Sequence, residues 1–150
     1  MQVLTLAGQD FKILLPVNMV AQIIGRSTVT PPSDGEFKSL AGSFRWRDYA
    51  VPLLRTSELM GKSSTADQDY ERIVVLWPMK SASSRSFIGL TSLAPPRVVE
   101  ITEQPSSEMI TEMPYALSCL QLENELAVIP DIDQVSRDLF ENADGQDLGR

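Results

Sequence analysis

Apolar residues fall along this chain in short runs, each cut by Gly, Pro, Asn or Asp. Val3-Leu4-Thr5-Leu6 and Phe11 to Leu15 flank Gly8-Gln9 and read as a hairpin. Asn18 fits the N-cap of a short helix carrying Met19, Val20, Ile23 and Ile24 on one side, with Gly25 ending it. Residues 26–37 form a connector stiffened by Pro31-Pro32 and turning at Asp34-Gly35. Phe44 and Trp46 then alternate with Ser43, Arg45 and Arg47, and Ala50 to Leu54 is a short, mostly apolar run. Arg47-Asp48 is the turn between these two strands, with Asp48 as the residue that tolerates a left-handed backbone. Pro52 lacks the N–H a ladder needs, so the second strand ends there or lies at an edge. Thr56 fits an N-cap, Leu59 and Met60 supply one apolar face, and Gly61 fits a helix stop.

The second half repeats the alternation. Residues 61–72 are polar and read as a surface loop, whose Asp67 and Asp69 are solvated charge rather than an acid pair. Arg72 to Trp77 is β-branched and reads as a central strand ended by Pro78. Lys80 to Ser86 is the loop to a partner strand at Phe87 to Leu90, which sets Val74 and Leu90 in facing, buried positions. Arg97 to Ile101 alternates once more, and residues 102–114 form an acidic loop. Tyr115 to Leu122 and Glu125 to Pro130 make a further hairpin, turning at Glu123-Asn124. Asp131 with Gln134 three residues on is a capping box, and Ile132, Val135, Leu139 and Phe140 share one helical face beyond it. The domain therefore spans residues 1–141, and 142–150, with no apolar period, reads as a flexible acidic tail. Nine or ten short strands with two or three short helices predict an all-β, barrel-type architecture.

Composition narrows the chemistry. The 150 residues carry a net charge of −7 and a pI near 4.5, which disfavours binding to nucleic acid or to an anionic membrane surface. No apolar run is long enough to span a bilayer, and the first residues lack a basic region and a cleavage site, so a cytoplasmic protein is expected. There is no histidine, which removes Ser-His-Asp and Cys-His catalysis and most zinc sites. No phosphate loop or dinucleotide fingerprint is present. The single cysteine, Cys119, lies inside a strand with nothing basic nearby in sequence, and reads as a small buried hydrophobe. No carboxylate sits in an apolar stretch that would raise its pKa, so no cofactor, metal or catalytic residue is assigned.

The stretch from Gly42 to Gly61 resembles the signature of the CheW-like family of chemosensory adaptors. That signature runs Gly, two apolar residues, Asn-Leu-Arg-Gly, then apolar-Pro-apolar, an Asp, and a short helix ending Leu-Gly. Gly42, Arg47, Val51, Pro52, Leu53 and Leu59 to Gly61 sit at matching places, whereas Arg45 stands for Asn, Asp48 for Gly and Arg55 for Asp. Trp46-Arg47 in place of Leu-Arg is similar to the adaptors of pilus-linked, twitching-type systems. Val20 and Ile23 match the family's Val-x-x-Ile pattern, and Asp131 its step into a closing helix. The resemblance covers Val3 to Phe140.

The resemblance implies two small five-stranded β-barrels sharing one hydrophobic core. It implies a non-enzymatic adaptor that couples the cytoplasmic tip of a chemoreceptor to the regulatory domain of a CheA-like histidine kinase at membrane-associated arrays. The partner-binding residues it implies are Val20, Ile23, Arg45, Trp46, Arg47, Val51 and Pro52. A reading from a different class is a small-molecule-binding barrel whose cavity is lined by Trp46, Tyr49 and Trp77; plain packing of these rings is the simpler alternative.

Overall fold

The computed structural model describes residues 1–32, 37–62, 68–78, 87–102, 104 and 113–148, with side chains described as far as residue 140. The Asp34-Gly35 turn, Asp67, the 80–86 loop and most of the 102–114 loop therefore lie outside the described residues.

Eleven strands and two helices are present among them. One sheet has the order β10 (Ala116–Leu122), β11 (Glu125–Pro130), β2 (Phe11–Pro16), β1 (Gln2–Ala7), β9 (Arg97–Glu100). The other has the order β3 (Val20–Ile24), β7 (Arg72–Leu76), β8 (Ile88–Ser92), β6 (Tyr49–Leu54), β5 (Leu40–Trp46), β4 (Val29–Thr30). Neighbouring strands are antiparallel except in the pairs β11–β2 and β6–β8.

Most of these strands are buried on both faces, and the faces serve different cores. In β1 and β2, Leu4, Leu6, Ile13 and Leu15 face a central cluster, while Val3 and Leu14 face an interior shared with Ile101, Leu120 and Ala127. In β7, Val74 and Leu76 join the central cluster, while Ile73 and Val75 turn to Phe44, Trp46, Val51, Leu53 and Phe87. This is the period of two expected of a strand, with apolar residues on both sides. Val74 and Leu90 are direct cross-strand partners and both are buried. The central cluster is the core the two sheets share, and helix α2 (Ile132–Leu148) seals it with Ile132, Val135 and Leu139.

Two barrels were expected, and the sheets are barrel-like without a closing ladder among the described residues. Each curls until its end strands meet through side chains. In the first, Val99 of β9 and Leu120 and Leu122 of β10 pack into one interior. In the second, Trp46 Nε1 of β5 donates to Gln22 Oε1 of β3 at 2.9 Å. The sixth strand arises because Val29-Thr30, inside the expected connector, pairs with Phe44 and Ser43.

The helix expected from Asn18 to Gly25 is instead a single 3-10 turn, Val17–Met19, followed by strand β3. Val20, Ile23 and Ile24 are β-branched, and so few residues make a marginal helix without strong tertiary support. A bulge between Val20 and Gln22 explains the misleading pattern. It lets Val20 pair with Leu76 and Ile23 with Val74, so residues three apart share a face, as they do in a helix.

The two sheets are tied by hydroxyls. Ser92 Oγ accepts the Ala7 N–H at 3.0 Å, and Leu93 N–H donates to Ala7 O at 2.9 Å. Helix α1 (Thr56–Leu59) docks through Thr56, whose N–H donates to Thr91 Oγ1 at 3.0 Å and whose hydroxyl donates to Thr91 O. Thr56 is thus the first helical residue rather than the N-cap, a position held by Arg55. Gly61, at φ 82, ends the turn as expected. The capping box holds, with Gln134 N–H donating to Asp131 Oδ1 at 3.1 Å. Helical backbone continues through Leu148, past residue 141 where the apolar period stops.

Candidate partner-binding surface

The hairpin β5–β6 presents the residues that the sequence singled out. Trp46 pairs with Tyr49, so Arg47-Asp48 is a two-residue turn. Arg47, and not Asp48, takes the left-handed conformation, at φ 53. Its guanidinium lies over the Trp46 ring, 4.5 Å from the centroid, a cation–π geometry. Arg45 and Arg47 are both exposed, and neither forms an ion pair among the described residues.

Pro52 sits inside β6 rather than ending it, opposite Ser43. Counting outward from the tight turn, Trp46–Tyr49 and Phe44–Val51 exchange hydrogen bonds, so residue 52 directs its missing N–H away from β5. On that side the β8 ladder starts only at Leu53. The strand is locally an edge at Pro52, and no ladder bond is lost.

Four aromatic rings gather at this end of the second sheet. Phe87 lies 4.9 Å from Trp46, 4.8 Å from Tyr49 and 5.9 Å from Trp77 between ring centroids. Trp46 is buried, while Tyr49 is 36% and Trp77 47% exposed. The rings pack on one another through Phe87 rather than lining a void, so packing, the simpler of the two readings, accounts for Trp46, Tyr49 and Trp77.

The remaining candidates divide by burial. Ile23 is 40% exposed. Because its cross-strand partner Val74 faces the central cluster, Ile23 occupies the same face at the uncovered edge of β3. Val20 is half-buried against that cluster. Val51 is fully buried, 0% exposed, and cannot touch a partner; its place in the signature is explained by packing beside Phe44 and Trp46. Gln22 ties β3 to the hairpin, so Trp46 and Arg47 are fixed relative to the strand that carries Val20 and Ile23. Gln22 and Phe87 were not singled out from sequence. Their contacts join strands distant in sheet order, and no local periodicity reports that.

Elsewhere, chemistry is sparse. Among the described residues no group of His, Cys, Asp or Glu is arranged to hold a metal ion, and no helix is long and apolar enough to cross a membrane. Cys119 is buried. Lys12 Nζ donates to Glu123 Oε2 at 2.8 Å. That bond and charge, with Arg97 beyond, hold the Glu123 carboxyl below its ordinary value. Tyr115 donates its hydroxyl to Asp138 Oδ2 at 2.7 Å. Burial, then the Asp138 bond and charge, push that phenol well above its ordinary range.

Residues 2–140 match the family model described as a CheW-like domain. Among solved structures, the scaffolding protein TtCheW from Thermoanaerobacter tengcongensis superposes with a TM-score of 0.69 at 13% identity, covering 86% of this chain and 82% of that one. No curated protein matches the sequence.

Proposed function

This chain belongs to the CheW-like family, and we propose that it is a non-enzymatic adaptor in chemotaxis-type signal transduction, coupling a chemoreceptor tip to the regulatory domain of a CheA-like histidine kinase. The observation that carries this reading is Arg47. A charged residue is held in a left-handed turn, braced on a buried Trp, with no ion pair among the described residues. Arg beside an aromatic is a combination enriched where binding energy concentrates. Its planar fork suits carboxylates or the carbonyls at a helix end. Arg45 on the same hairpin, and Ile23 and Val20 on β3, extend the surface; Pro52 holds the hairpin's shape.

In this reading the receptor helix end meets the Arg47 hairpin and β3, and the kinase domain meets other edges. Each contact is modest in area, and membrane-associated arrays of a cytoplasmic adaptor gain strength by multivalency. The Trp46-Arg47 pair is the feature that assigns the protein to a pilus-linked, twitching-type system.

Calorimetric titration of the full chain with a receptor-tip fragment and with a kinase regulatory domain is the test. Arg47→Glu is expected to leave the melt within about ±0.5 kcal/mol, as exposed substitutions do. It should weaken the receptor fragment at least about tenfold, ~1.4 kcal/mol, and the kinase domain less. Unchanged receptor affinity would reduce Arg47 to an ordinary surface charge.

A further inference from the structure

The far end of the second sheet carries a cavity of about 330 Å³. Val29, Ala41 and Leu53 give it apolar walls, and Arg26, Arg55 and Tyr70 supply its polar side. None of its lining residues is acidic, in a chain with 20 acidic and 13 basic residues. Two guanidiniums around an acid-free apolar recess are therefore not what the overall composition favours.

Both arginines are placed but incompletely used. Arg26 lies over the Tyr70 ring at 4.2 Å, and its Nη1 donates to Gln68 O at 3.1 Å and Tyr70 O at 2.8 Å. These bonds fix the side chain, and its other guanidinium N–H groups have no partner among the described residues. Arg55 Nη1 reaches Leu40 O and Glu58 Oε2, each at 3.4 Å, near the limit for a hydrogen bond. Arg55 is also one of the places where the chain departs from the family signature, which has an acid there.

We infer that this recess binds a small organic carboxylate, its head between Arg26 and Arg55 and its apolar body against Val29, Ala41 and Leu53. The volume is at the lower end of about 300–1,000 Å³ for small-molecule sites, which pair apolar walls with a few fixed polar groups. Guanidinium matches a carboxylate with two parallel bonds. A bare inorganic anion leaves the walls unused, and a neutral ligand leaves the cations unused.

The site lies at the opposite end of β6 from the Arg47 turn, roughly 15 Å away at about 3.3 Å per residue. Its failure is therefore distinguishable from failure of the adaptor reading. The test is calorimetry and two-dimensional amide NMR on the full chain with sodium benzoate, with benzyl alcohol as the neutral isostere and inorganic phosphate as the bare anion. Benzoate is expected to saturate in the low millimolar range and to shift the amides of Tyr70, Arg55 and Thr91 but not those of Trp46 and Trp77. Arg55→Gln should weaken it about tenfold with receptor-fragment affinity unchanged. Arg26→Gln should also weaken it, though that change releases the Gln68 and Tyr70 carbonyls, so Arg55→Gln is the deciding variant. Absence of saturation, equal affinity in Arg55→Gln, or equal binding of benzyl alcohol or phosphate would each overturn the inference.

Discussion

Arg47 holds a backbone conformation, φ 53, that costs a non-glycine residue stability. The family signature has its turn glycine one residue later, where this chain has Asp48, and the sequence accordingly placed the left-handed residue at 48. The position of the turn was legible, because Phe44 and Trp46 alternate up to it. Which of its two residues turns left was not, because that depends on the twist of the strands it joins. The strain offers a test independent of charge reversal. Arg47→Gly should raise stability, by up to about 1 kcal/mol from relieved backbone strain, while lowering receptor-fragment affinity at least about tenfold. Urea melts beside calorimetry read both numbers. A glycine variant that loses stability would mean that the Trp46 stacking outweighs the strain.

At the scale of elements, Gly42 explains why the signature begins with glycine. Its φ is 144, and a Cβ there would lie 2.1 Å from Thr30 O, a backbone atom of β4 that cannot move aside cheaply. Gly42→Ala should therefore cost about 1–3 kcal/mol in backbone strain and about 1–3 kcal/mol in overpacking. The cost should fall on the β4–β5 pairing first. Faster hydrogen exchange at Val29 and Thr30 than at Val74 would locate it there, and a wild-type melt would show that β4 simply lifts away. Local pattern carried most strands to within a residue or two, including the pairing of Val74 with Leu90. It failed at β3, where a bulge spaces Val20 and Ile23 three apart on one face, and at β4, whose two residues are too few to show a period. It gave the hairpin of the partner surface but not its brace, since Gln22 meets Trp46 only because the sheet curls.

The whole molecule depends on the central cluster, where the inward faces of both sheets meet α2. Tyr115, just before β10, anchors that helix from outside the cluster. Its hydroxyl bonds Asp138, whose second oxygen accepts from Gln134 Nε2 at 2.8 Å, so the capping box and the anchor are linked. Tyr115 also has φ 62 and stacks on Phe37 at 6.2 Å, joining the helix to the segment before β5. Burial and the Asp138 charge raise the phenol's pKa above its ordinary 10.0. Above pH 10 the unfolded chain therefore loses a proton that the folded state keeps. Stability linked to Tyr115 is fully present below pH 10 and falls as pH rises from there toward the folded pKa. Tyr115→Phe removes that proton from both states. The variant should be less stable than wild type at pH 8 by about 1–3 kcal/mol, through the lost bond to a carboxylate. It should also lose less stability than wild type between pH 10 and pH 11. Urea melts of both proteins across that range measure the difference. Parallel pH profiles would mean that the Tyr115–Asp138 bond opens before the molecule unfolds, and that α2 is held by Ile132, Val135 and Leu139 alone.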